Sequence, residues 1–201
     1  MAEGNRIIYM KDEEGNKLLP YQFYDEFGLI NMPMSGKQVL IPNWQKKTKT
    51  VHPTYINQNI GLLTGKINGI TVLDIDVKDN GIKLFSKLIK EHPDIKTPTV
   101  KSPGKSLHLY FKYNKRLPNS IRILVDGERI GWDIKNDRSM ITSPPSIYPN
   151  TTKRYKWVKG KSLNDLDIID MPKWLEKFII DNLKPYTINR IKKINLENNR
   201  I

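Results

Sequence analysis

The stretch Ile70-Thr71-Val72-Leu73-Asp74-Ile75-Asp76-Val77 decides how the rest of this 201-residue chain is read. It is apolar and β-branched, and turn-forming residues bracket it, Asn68-Gly69 before and Asp79-Asn80-Gly81 after, so it predicts a β-strand. Side chains alternate across a strand, which puts Asp74 and Asp76 on one face and Leu73, Ile75 and Val77 on the other. Two adjacent carboxylates repel each other and resist burial, and a cation is their natural partner. Hard divalent cations such as Mg²⁺ take oxygen ligands of this kind. Taken alone, the stretch is equally compatible with an exposed strand end whose two acids are solvated.

Composition bounds the reading around that strand. The length suits one well-cored domain, with or without a tail. Hydrophobic residues make up 38%, enough for a globular core, and no apolar run approaches the ~18 residues of a membrane span. The start, Met1-Ala2-Glu3-Gly4-Asn5, lacks the basic and apolar regions of a signal peptide, so an intracellular protein with no membrane partner is expected. There is no cysteine, which excludes disulfides and thiolate zinc sites, and with only His52, His92 and His108 no zinc is expected. The formal net charge of +13 points to a polyanionic partner, nucleic acid first. An Asn-, Ile- and Lys-rich composition accounts for part of that lysine excess.

Upstream of the strand, Arg6 to Met10 predicts a first strand and Tyr21 to Phe27 a short helix stopped by Gly28. Leu29 to Met32 reads as extended and Pro33 to Lys37 as a loop. Trp44, followed by Lys46, Lys47 and Lys49, is either a lid on the core or a stacking platform for a base. Asn59 to Lys66 reads as a strand running into a glycine turn; its glycine spacing is not that of a Walker loop. Downstream, Asn80 is placed to cap a helix carrying Ile82, Phe85, Leu88 and Ile89 on one face, with His92 at its end before Pro93.

Thr97 to Lys101 is extended, Ser102-Pro103-Gly104-Lys105 is a turn, and Ser106 to Phe111 alternates with a period of two. Arg122–Val125 and Gly131–Lys135, joined through Asp126-Gly127, read as a pair of strands. Met140 to Thr142 leads to the turn Pro144-Pro145-Ser146, and Tyr155 and Trp157 lie on a last extended piece. Pro172 opens a helix with Trp174, Leu175, Phe178 and Ile179 inward. Residues 1–183 are expected to form one domain and 184–201 a basic tail or linker.

Three of these strands share one design, an apolar face and a face with reactive groups. The reactive sets are Asp74 with Asp76, Ser106 with His108, and Asp133 with Lys135. In one sheet they would converge on a single surface, with Lys101, Lys105, Lys112, Lys115 and Arg116 around it. Three acids suffice to anchor two divalent ions about 3.5–4 Å apart, the arrangement that stabilises both oxygens of an in-line phosphoryl displacement. A histidine titrating near neutral pH can give a phosphate a hydrogen bond, and a serine adds a neutral donor.

The ordered set Gly61-x-x-Thr64-Gly65, Leu73-Asp74-Ile75-Asp76, Thr97-Pro98, Ser106-Leu107-His108-Leu109-Tyr110-Phe111, Gly131-Trp132-Asp133-Ile134-Lys135, Pro144-Pro145-Ser146 and Tyr155-x-Trp157 resembles the prim-pol domains of the archaeo-eukaryotic primase superfamily. The resemblance spans about residues 20 to 180. It implies an α+β fold, an N-terminal α/β unit packed on an RRM-like antiparallel sheet with the active site between them. It implies Asp74, Asp76 and Asp133 as metal ligands for two Mg²⁺ or Mn²⁺ ions. His108 joins them as a catalytic residue, and Ser106, His108, Lys105 and Lys135 as nucleotide-binding residues. Gly36-Lys37 and Trp44 resemble an N-terminal signature of the family that carries no assigned role.

The implied activity is template-directed nucleotidyl transfer, DNA primase and DNA polymerase chemistry in replication. The implied partners are DNA template and primer and nucleoside triphosphates, with a replicative helicase in cis or in trans. The turn before His108 departs from the family's glycine-rich pattern, although Lys105 supplies a cation there. Without cysteine there is no zinc module of the kind that supports initiation in several relatives, so extension is the firmer expectation. Two other readings remain open at this point: a non-catalytic DNA-binding replication module and a two-metal nuclease.

Overall fold

Strand pairing centres on the stretch that carries Asp74 and Asp76. The computed structural model describes residues 9–52, 59–93, 95–119 and 123–183. In chain order the elements begin with β1 (Met10–Lys11), β2 (Lys17–Leu18), α1 (Pro20–Glu26), β3 (Asn31–Ser35), β4 (Gln38–Val39), β5 (Asn59–Thr64) and β6 (Ile70–Ile75). They continue with α2 (Gly81–Glu91), β7 (Thr99–Lys101), β8 (Leu107–Lys112), β9 (Ile123–Val125), β10 (Glu128–Ile130), β11 (Trp132–Lys135), β12 (Ser139–Ser143), β13 (Lys156–Trp157) and α3 (Lys173–Asp181). The result is a mixed α/β fold with several antiparallel sheets and few helices. No helix among the described residues is long and apolar enough to cross a membrane.

The larger sheet runs β11-β6-β8-β7-β13, entirely antiparallel. A second antiparallel sheet runs β12-β5-β3-β4. Alternation along β6, β8 and β11 sends Leu73, Ile75, Leu109, Phe111, Trp132 and Ile134 into one core with α2 and α3. There Phe85, Leu175 and Ile179 are buried, and Ile82, Leu88, Ile89, Trp174 and Phe178 pack against them, the helical faces the spacing predicts.

The opposite face is not polar along its whole length, as the alternation alone would have it. Ile70, Val72, Val100 and Tyr110 fill a second core with Phe23 and Tyr24 of α1 and with Ile60, Leu62 and Ile141 of the other sheet. The Tyr110 hydroxyl pairs with Ser143 Oγ at 2.9 Å, and Tyr24 Oη donates to the Pro144 carbonyl at 2.6 Å, tying the sheets together. Charge on this face lies beyond the apolar stretch, with Asp74, Asp133 and His108 at one end and Lys112 at the other.

Several sequence expectations shift. Pro33, Met34 and Ser35 belong to β3 rather than to a loop; a proline lacks only the donor, and its carbonyl still accepts from Leu40 N at 3.4 Å. The partner of β9 through the Asp126-Gly127 turn is β10, while Trp132–Lys135 pairs with β6. Asn80 stands at the N-cap of α2 in the left-handed region without a side-chain cap bond. His92 ends α2 as expected and stacks on Trp174, centroids 4.3 Å apart. Residues 6–8 of the expected first strand, the residue Arg122 and the tail 184–201 lie outside the described residues, while Met10, the last residue of that strand, begins β1.

Gly131 fixes the end of β6 against β11. Its carbonyl accepts from Asp76 N at 2.6 Å, and its own N–H donates to Asp79 O at 3.1 Å. A Cβ at this position would collide with the Lys78 carbonyl oxygen and lie 3.3 Å from Asp76 Cβ. Backbone cannot yield as a flexible side chain can, so Gly131→Ala should lower stability by about 1–3 kcal/mol. Urea unfolding checks this; an unchanged midpoint would contradict the packing.

Candidate active site

Register, not loop placement, assembles the charged end. Asp133 pairs with Asp74 across β11 and β6, and Asp74 pairs with His108 across β6 and β8, so the three side chains stand in one row on one face. Asp76 lies just past the end of β6, and Ser106 just before β8, where its Oγ donates to Asp76 Oδ1 at 2.7 Å. Lys135, two residues along β11 from Asp133, places Nζ 3.1 Å from Asp133 Oδ2. The β7–β8 turn is closed by Ser102, whose Oγ accepts from Ser106 N at 3.0 Å and whose carbonyl accepts from Lys105 N at 2.9 Å.

Burial governs the chemistry of the row. Asp74 is the most enclosed of the acids; burial pushes its carboxyl up to about 7, against the opposing charge of Lys135, with Asp76 and Asp133 raising it further. Asp74 Oδ1 is buried without a hydrogen-bond partner, with His108 Nε2 at 3.4 Å. His108 is only 4% exposed. Burial first, then the charge of Lys37, pushes its imidazole down to about 3. It is therefore neutral at physiological pH and does not titrate near neutrality as the sequence suggested. Tyr155 lies against it, ring centroids 5.7 Å apart, with its phenol held protonated by burial, by Tyr148 and by Asp74 and Asp76.

Among the described residues, no group of three His, Cys, Asp or Glu side chains stands close enough together to hold an ion as the side chains lie. Asp76 is turned to Ser106 and Asp133 to Lys135. The donor set still fits a hard cation. It consists of carboxylates, and the innermost has a buried, unpartnered oxygen and, because of that burial, binds a proton more readily than in water.

Not every expected residue joins the row. Lys105 is exposed at the tip of the β7–β8 turn with φ 70°, beside Ser106. Lys112 pairs with Ile70 at the far end of β8, four residues and about 13 Å from His108, and faces Asp170 at 4.0 Å. Arg116 pairs with Glu176 of α3 at 3.3 Å, and Lys101 shares the Leu107 side of the sheet, away from the acids. The sequence did not assign Lys37, whose charge reaches both Asp74 and His108 from the other sheet. Its only sequence signal is the pair Gly36-Lys37, which needs the fold to bring it near.

An acid with a raised folded-state value favours folding below its unfolded value near 3.8 and loses that contribution as pH climbs through about 7. In chelator, Asp74→Asn should therefore gain about 2–3 kcal/mol on wild type between pH 5 and pH 8. Urea titrations at the two pH values check this; a difference independent of pH would contradict the burial of Asp74.

The family model for the bifunctional DNA primase/polymerase N-terminal domain, Prim-Pol, matches residues 23–174, well over half the chain. No curated protein matches the chain. The matched span holds every residue of the row together with Ser106, Lys135 and the Gly36-Lys37 turn, and the chain belongs to the Prim-Pol family.

Proposed function

We propose that the protein is a template-directed nucleotidyltransferase that extends a primer 3′-hydroxyl in DNA replication. The observation that carries this reading is the row Asp133–Asp74–His108 in register across three adjacent strands, with Ser106 on Asp76. Asp74, Asp76 and Asp133 would hold two Mg²⁺ or Mn²⁺ ions. When bound, such ions lower the charge on the reacting phosphate and favour the ionised attacking hydroxyl.

The chain's own groups do the positioning. Strand pairing and burial on both faces hold Asp74 at a set height, so its carboxylate does not have to be organised when substrate arrives. Neutral His108 has one N–H to donate and brings no charge of its own. The Ser106 hydroxyl donates a hydrogen bond to Asp76 in the free protein and would donate it to a phosphate oxygen in the complex. Lys135 adds a full positive charge beside Asp133. These donors suit the β- and γ-phosphates, whose placement sets the α-phosphate in line with the hydroxyl.

The five-stranded sheet with α2 and α3 on one face is the RRM-like half in this reading, and α1 with the four-stranded sheet is the N-terminal half. The net charge of +13 supports DNA as the macromolecular substrate. A replicative helicase, in cis or in trans, is the proposed partner, and the intracellular site of DNA replication the proposed location. Asp74→Ala and Asp76→Ala should each lower primer extension by about a hundredfold or more while primer-template affinity stays near wild type. Extension assays with anisotropy binding check this, and a double variant that extends as wild type does would overturn the assignment.

A further inference from the structure

The β3–β4 turn meets the catalytic end from the opposite sheet. A buried asparagine holds it there: Asn59 Nδ2 donates to the carbonyls of Gly36 and Ile147, each at 2.9 Å, and Asn59 Oδ1 accepts from Ile147 N at 2.7 Å. Gly36 takes φ 57°, a conformation glycine adopts without strain, and the chain turns to present Lys37. Lys37 Nζ sits 5.4 Å from the centroid of the Tyr148 ring, within cation–π range. Tyr148 lies 5.7 Å from Tyr155, and Tyr155 5.7 Å from His108, so one aromatic path joins the turn to the row.

Lys37 has no carboxylate partner within 4.0 Å among the described residues, although its charge reaches Asp74. A triphosphate brings several negative charges, and the groups already named leave much of that unmet. Lys135 shares its charge with Asp133, 3.1 Å away. An open cleft of about 830 Å³ runs along the turn, lined in part by Gly36, Asn59 and Tyr148 and by none of the residues of the row.

We infer that Lys37 is a ligand of the incoming nucleotide's triphosphate, reaching it from the sheet opposite Ser106, His108 and Lys135. Asn59 and Tyr148 are its positioning residues, one fixing the turn and the other the ammonium. This assignment rests on the nucleotidyltransferase reading, and its test separates the two.

The experiment measures two affinities on the full chain: dATP with Mn²⁺ by calorimetry, and a labelled primer-template by anisotropy at one salt concentration. Lys37→Ala should weaken dATP binding roughly ten- to hundredfold, the range for a lost hydrogen bond to a charged group. Primer-template affinity and melting temperature should stay as in wild type, because the residue is exposed. Lys37→Arg should recover most of the dATP affinity. Lys112→Ala, which removes a charge at the far end of β8, should leave it unchanged. Lys37→Ala with normal dATP binding, or with its loss falling on the primer-template instead, overturns the assignment alone. A wild-type protein that binds no dATP overturns the nucleotidyltransferase reading together with it.

Discussion

Strand β6 is paired on both sides and packed on both faces, and the rest of the molecule follows from that constraint. Each neighbour can take only the register that keeps its apolar residues in a core, since a shift of one residue would turn every side chain to the wrong face. That requirement sets Asp133 and His108 on either side of Asp74. It also confines the acids to the end of the strand, because farther along the same face lies the apolar contact with the second sheet. Gly131, which leaves room for the Lys78 backbone, completes the arrangement by holding Asp76 where the strand ends.

The same burial that fixes these groups changes what they are. A histidine 4% exposed, with the charges of Lys37 and Lys135 acting on it, has little reason to carry a second ring proton and is neutral at physiological pH. An aspartate in the same layer gains a proton more readily than in water, which makes it a strong acceptor for any cation that replaces that proton. The outer acids are paired with Ser106 and Lys135, groups that a phosphate could recruit in turn. Charge at this site is thus balanced locally, with Ser106 and Lys135 each set against one of the outer acids.

Much of this is legible in the residues. The alternation of Asp74 and Asp76 with Leu73 and Ile75, and of His108 with Leu107 and Leu109, is enough to place the reactive groups on one face. The turn residues mark the strand ends, and the spacing of Ile82, Phe85, Leu88 and Ile89 marks α2. What local pattern does not supply is depth and distance along the strands. Tyr110 and Val72 share the face of Asp74 yet lie in a core, because a second sheet covers them. Lys112 and Arg116 lie close to His108 in sequence and far from it, or bound to α3, in space. Lys37 is the converse, remote in sequence and close in effect, because only pairing between β3, β4 and β5 brings its turn round.

The central claim is that this row of residues joins nucleotides to a primer. A labelled primer annealed to a longer template, incubated with the protein and Mn²⁺ with and without deoxynucleoside triphosphates, tests it in one gel. The account predicts a primer that lengthens only when triphosphates are present. A primer that stays unchanged under both conditions, or that shortens, would contradict it.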